Sequence, residues 1–208
     1  MQIGPYKLYS IETSEFALDG GAMFGIIPKP LWEKEVPADD KNRIQMVTRS
    51  LLLVSEENKI IIDTGNGSKW QEKFKDIYKI DLENLNLERS LGIYGFTPED
   101  ITDVYCTHLH FDHVGGNTKI VNGKLEPVFP NATYWVQTEN WDLANSPGEK
   151  DAGSFMSADW SVLLENNMIH FVDGKESFLP EIDNHLTYGH TIGLMHPIMG
   201  DSTNKLIY

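Results

Sequence analysis

Residues 106–116 read CTHLHFDHVGG, and no other stretch of the 208-residue chain restricts the fold as tightly. His108, His110, Asp112 and His113 fall within six residues, directly after the strand-like run ITDVY at 101–105 and just before Gly115 and Gly116. Packing gives no reason for this density. Protonated imidazoles so close together repel one another, and neutral ones carry lone pairs that burial leaves unmet unless a divalent cation uses them. His108 and His110 are two residues apart and project to one side of an extended chain, whereas Asp112 and His113 follow where the chain turns toward a helix. One short loop can therefore face two adjacent metal ions. Strand, ligand loop and helix in that order imply α/β layering.

Working outward, residues 46–54 and 59–63 are apolar runs joined by SEEN, the pattern of a β-hairpin feeding a buried sheet. The second run ends IIDTGNG and puts Asp63 at a strand terminus, where an Asp caps a turn through its own side chain. Residues 6–13 alternate as an opening strand. In SKWQEKFKDIY, residues 68–78, Trp70, Phe74 and Ile77 mark one helix face with Ser68 at its N-cap, and 81–91 repeats the helical spacing through Leu82, Leu85 and Leu91. TPED at 97–100 is a helix-start or turn signal. Gly115 and Gly116 are expected to let the backbone pass close to the metals, and Asn117 to open a short helix.

Residues 133–137 (TYWVQ) read as a strand, 139–144 and 161–165 as helices, and 145–157, without periodicity, as an excursion. Trp141, Phe155 and Trp160 near it read as buried aromatics. Residues 169–172 and 185–188 read as strands of a second sheet, and 195–199 as a strand that returns through 205–208. Asp201 then lies at a hairpin tip facing solvent. His170, His185 and His196 read as structural. The Gly- and Pro-rich segment 19–32 carries apolar side chains that form either a satellite core under a loop or the wall of a substrate pocket.

Seventeen Lys and Arg against thirty-one Asp and Glu give a net charge of -14, which repels a polyphosphate backbone. Nucleic acid is excluded as a partner on that ground. Cys106 is the single cysteine, so no internal disulfide forms, and its thiol reads as a small buried hydrophobe. Neither a signal-like start nor an apolar run of about 18 residues is present, so the reading is a soluble, cytoplasmic protein with no membrane association. A homo-oligomer is compatible with the composition.

HLHFDH at 108–113 resembles the signature of the metallo-β-lactamase superfamily, and Phe111 within it is the variant of N-acyl-homoserine-lactonase-like members. DGGAMFGIIPKPLW at 19–32 is similar to the N-terminal region of a lactonase-like subgroup, and YGHTIG at 188–193 to the superfamily's GHTxG element. The resemblance implies an αββα sandwich over residues 1–208 as one domain. It also implies zinc, as one or two divalent ions, with manganese or iron as alternatives. His108, His110 and His190 would make the first site with a fourth position open, and Asp112 and His113 would serve the second. Asp112 would also accept or shuttle a proton, Asp63 would hold the metal loop without ligating, and Met23, Phe24 and Phe111 would line the substrate pocket.

The implied activity is hydrolysis of an ester-type bond in a small-molecule substrate by attack of a metal-bound hydroxide. A lactone of the N-acyl-homoserine kind is favoured over a thioester, and an iron-bearing oxidoreductase or a non-catalytic metal binder is the alternative from another class. Leu194 departs from relatives in which a second His follows the element. The family's bridging Asp and last His would fall past Tyr208, so the expectation is a second half truncated at the C-terminus. One firmly held metal at most and poor activity would follow.

Overall fold

The computed structural model describes residues 1–208. Its strands are β1 (Gln2–Ile3), β2 (Tyr6–Asp19), β3 (Arg43–Val54), β4 (Lys59–Ile62), β5 (Asp103–Tyr105), β6 (Thr118–Val121), β7 (Lys124–Pro127), β8 (Thr133–Gln137), β9 (Ile169–Val172), β10 (Ile182–Thr187), β11 (Leu194–Gly200) and β12 (Lys205–Ile207). The helices are α1 (Gly20–Phe24), α2 (Lys29–Trp32), α3 (Glu72–Tyr78), α4 (Leu87–Ile93), α5 (Phe111–Val114), α6 (Thr138–Asn145) and α7 (Ser161–Glu165). None is long and apolar enough to cross a membrane.

Seven strands form the main sheet in the order β1-β2-β3-β4-β5-β8-β9, and β10-β11-β12 form a second sheet. Strand parity builds two cores from the main sheet, because successive side chains leave opposite faces. Leu52, Ile61, Val104, Tyr134 and Val136 point to one face and bury against Leu91, Ala144, Leu163 and Trp160 on the helical side. Their neighbours Leu53, Ile60, Ile62 and Tyr105 point to the other and meet Ile182, Met195 and Met199 of the second sheet. Such uninterrupted apolar runs are what strands covered on both faces require.

The strands β4, β5, β8 and β9 run parallel, so their carboxyl ends share one edge of the molecule. Ligand-bearing loops gather at that edge in α/β sheets. The loop at 106–110 leaves β5 there, and the backbone N–H of Met195 at the start of β11 donates to the Thr107 carbonyl at 2.9 Å. The second sheet is thereby pinned to the ligand loop.

Several expectations are corrected. Residues 169–172 form β9 at the edge of the main sheet, paired with β8, and only the run near 185 belongs to the second sheet. Helix α3 starts at Glu72 with Gln71, not Ser68, at its N-cap. Lys69 and Trp70 are drawn inward instead, through a Lys69–Asp159 ion pair and a bond from Trp70 Nε1 to the Asn66 carbonyl. Phe74 and Ile77 are 36% and 42% exposed, so the supposed apolar face is largely a surface one. Asp81 bridges to Glu15 of β2, which delays the following helix until Leu87, capped by Asn86.

No helix opens after Asn117. Thr118–Val121 is β6, hairpinned to β7 through Asn122 and Gly123 with φ of 50° and 78°, the geometry of a type I′ turn. Gly115 and Gly116 make close backbone contact with the turn after β4. A Cβ on Gly116 would overlap the Thr64 carbonyl, and one on Gly115 the Asn66 carbonyl.

Two isoleucines measure what the core contributes: Ile61 is fully buried and Ile26 fully exposed. Ile61→Ala is expected to lower unfolding free energy by about 2–5 kcal/mol, and Ile26→Ala to change it by no more than about 0.5 kcal/mol. Urea denaturation of the two variants checks this.

Candidate metal centre

The site begins with a strained residue. Asp63, one residue past β4, has φ of 57° and is 3% exposed, a left-handed conformation that costs on the order of 1 kcal/mol outside glycine. Its backbone N–H donates to the Tyr105 carbonyl at 2.9 Å, which sets it level with the end of β5. From there the carboxylate accepts the Thr107 N–H at 2.8 Å through Oδ1 and the Thr107 hydroxyl at 2.8 Å through Oδ2. Oδ2 also faces His113 Nδ1 at 2.7 Å. Three bonds to one buried carboxylate offset the backbone strain.

These bonds decide which imidazole nitrogens are free. The Thr107 hydroxyl spends its only proton on Asp63, so its oxygen accepts from His108 Nδ1 at 3.0 Å. His108 therefore carries its proton on Nδ1 and presents an unprotonated Nε2. That nitrogen is buried and has no hydrogen-bond partner. Likewise, His113 donates Nδ1–H to Asp63 and turns Nε2 toward Asp112 Oδ2, 3.7 Å away. A ligating histidine whose other nitrogen is held by a carboxylate or hydroxyl is the arrangement that fixes ring orientation for a metal.

His110 and His190 complete the cluster. Ring centroids lie 4.6 Å apart for His108 and His110, 5.1 Å for His108 and His190, and 4.9 Å for His110 and His190. One nitrogen from each of the three falls within 4.8 Å of the other two. Burial holds His108 far below the ordinary histidine pKa, with neighbouring imidazoles adding to the effect, and pulls His110 down to about 4. Both are neutral at neutral pH, with lone pairs available. His113 is also pulled down by burial, but the Asp63 carboxylate prevails and raises it to about 8.

The donor set fits a divalent ion such as zinc. Three imidazole nitrogens converge, one is a buried acceptor with nothing to accept, and a carboxylate and a fourth imidazole stand beside them.

Asp201 lies at the β11–β12 tip, where its carboxylate accepts from Thr203 and Asn204. His196 bonds the Thr187 hydroxyl, and His170 packs on Trp135. Buried Cys106 contacts the Asn117 amide, and burial pushes its thiol up to about 12. Of the residues read as pocket wall, Phe111 packs against Trp70 and Tyr78 at 5.2 and 5.4 Å. Phe24 stacks on Trp32 at 4.8 Å, and Met23 is 45% exposed. Both belong to α1, and Phe24 is engaged in that segment's own packing.

Several supports carry no local signal in the sequence. The Thr107 hydroxyl is one. Phe155, from the excursion at 145–157, packs its ring on His110 at 4.9 Å. The buried Lys69–Asp159 pair, 3.0 Å apart, places an ammonium that also donates to the Gly115 and Thr118 carbonyls and braces the chain leaving His113. Asn140 of α6 accepts from Leu109 N–H and donates toward Thr191 and Ile192.

A main sheet with helices packed on one face and a second sheet on the other, and a histidine cluster at the parallel-strand carboxyl edge, define the class as a layered α/β metallo-fold. Residues 44–203 match the sequence profile of the metallo-beta-lactamase superfamily, and the chain belongs to it. An N-acyl homoserine lactonase of Bacillus cereus is 25% identical over 161 residues, covering 73% of this chain and 58% of the relative. The chain thus spans little more than half the length of that protein. A probable metal-dependent hydrolase from Staphylococcus aureus superposes with a TM-score of 0.87 at 28% identity, over all of this chain and 73% of that one. AidC, a dizinc quorum-quenching lactonase solved with an N-acyl-L-homoserine product, gives 0.79 at 23% identity over all of this chain and 72% of its own. At that identity the likeness speaks for the fold.

The Asp63 network yields a prediction. Asp63→Ala frees Thr107 and His113 and lets the His108 ring turn, so zinc affinity should fall about 10- to 100-fold. Competition against a chromophoric chelator measures this, and unchanged affinity would remove Asp63 from the account.

Proposed function

We propose that this chain carries the metal centre of a hydrolase that opens an ester-type bond, with a lactone as the substrate class. The observation that carries the reading is the buried, partnerless His108 Nε2 facing His110 and His190. His108, His110 and His190 would hold one ion, and Asp112 and His113 would contribute to a second. Bound there, a divalent metal supplies Lewis acidity toward the substrate carbonyl and lowers the pKa of water.

The chain's own groups do the remainder. Asp63, acting through Thr107 and His113, keeps the ring nitrogens aimed and is not itself a ligand. Phe155 covers one side of His110 and limits water there. The Asp112 side chain is 27% exposed and sits beside His113 Nε2, where Oδ2 can take a proton during attack and return it to the leaving alkoxide. Phe111, with Trp70 and Tyr78, offers an apolar surface next to that carboxylate. Met23 and Phe24 would extend the apolar wall of the pocket. Both cores share the main sheet, so we read residues 1–208 as one domain.

The lactone preference is supported by the lactonase of Bacillus cereus among the relatives. Metal-reconstituted protein should hydrolyse members of a lactone panel in preference to thioesters and phosphodiesters, and lose that turnover on chelation. Asp112→Asn should lower kcat about 10²- to 10⁴-fold. Chelator-insensitive turnover, or a clear preference for thioesters, would contradict the reading.

A further inference from the structure

We infer that Asn140 is a positioning residue for His190, the side chain that decides whether the third imidazole reaches the metal. The inference rests on the metal centre proposed above, though not on its substrate.

His108 and His110 lie on a loop already fixed by Asp63 and by β5. His190 is tethered less directly, by the Met195–Thr107 bond five residues on and by an exposed bond from the Tyr188 hydroxyl to Glu139. It sits on the connection between β10 and β11, in an exposed stretch that includes Tyr188, Gly189 and Ile192. Something must hold that connection against the first loop, because flexibility at one ligand of three weakens all of them. Asn140 is 1% exposed and stands between the two loops. Its Oδ1 accepts the Leu109 N–H at 2.8 Å, midway between His108 and His110. Its Nδ2 donates to the Ile192 carbonyl at 2.7 Å and the Thr191 hydroxyl at 3.3 Å, immediately after His190. The amide orientation follows from the partners: an N–H on one side needs an acceptor, and a carbonyl on the other needs a donor.

The seat is shaped for this contact. The Asn140 backbone N–H donates to Gln137 Oε1 at 2.8 Å at the start of α6. Gly193, with φ of 69°, lies so close that a Cβ there would overlap Gln137 Oε1 and crowd the Asn140 nitrogen. The glycine of the GHTIG stretch therefore lets the loop lie flat on the end of α6, within reach of the Asn140 amide. No charged group could replace it, since an aspartate would set a carboxylate against the Ile192 carbonyl.

The test is a double-mutant cycle on zinc affinity, with cobalt substitution as the spectroscopic readout. Asn140→Leu and the isosteric Asn140→Asp should each weaken zinc binding about 10-fold or more in the otherwise native chain. The cobalt visible bands should weaken toward those of a higher-coordinate, water-rich ion. In a His190→Ala background the same substitutions should have almost no further effect, because the ligand they position is gone. Equal losses in both backgrounds would show that Asn140 acts on the fold generally and overturn the assignment. So would native affinity and an unchanged cobalt spectrum in Asn140→Asp. Failure of the native chain to bind zinc would overturn the metal centre itself, and loss of lactone turnover in the Asn140 variants with zinc affinity intact would overturn the Asn140 assignment.

Discussion

The carboxylate of Asp63 is the interaction on which the rest of the site depends. It occupies a left-handed backbone position at the end of β4, and no solvent reaches it to satisfy its charge. Its bonds to Thr107 and His113 are therefore obligatory. Through them one residue sets the free nitrogen of two imidazoles, His108 on the three-histidine side and His113 on the side of Asp112. The ligand set is arranged in advance of any ion, which reduces the ordering that binding must otherwise bring about.

The fold supplies the conditions for that carboxylate. Parallel pairing of β4 with β5 puts Asp63 beside Thr107, and glycine contacts between the turn at 64–67 and Gly115–Gly116 hold the two loops at backbone distance. Buried Lys69 ties the Gly115 and Thr118 carbonyls to Asp159. The third histidine arrives from the other sheet, whose Met195 and Met199 pack on Tyr105 and Ile62. The site therefore lies at a junction between sheets and requires both cores to form.

How much of this was legible followed from how local each signal is. The ligand loop, the β3–β4 hairpin and the strand at 133–137 were readable because residue type and spacing within a few positions determine them. Asp63 was placed at a strand end, although its partners lie more than forty residues away. The β6–β7 hairpin is also legible through Asn122-Gly123, a strong turn signal that outweighs the helix expected after Asn117. The assignment of β9 to the main sheet was not, because it depends on a crossover that local periodicity does not report. Helix α3 misled because its aromatic spacing is helical while Phe74 and Ile77 stay at the surface. Asn140 had no signal at all: a lone amide in a short helix gains meaning only when two loops, one before it and one after it in the chain, close around it.

The measurement that tests the central claim most directly is the tautomeric state of the histidines in metal-free protein, read from ¹⁵N chemical shifts of the imidazole rings. The spectra are taken above the His113 pKa of about 8. The account predicts that His108 and His113 both carry their proton on Nδ1 and leave Nε2 bare, and that zinc binds without changing that choice. A proton on Nε2 of His108 in the metal-free state would contradict it, because the Asp63–Thr107 relay would then not be setting the ligand geometry.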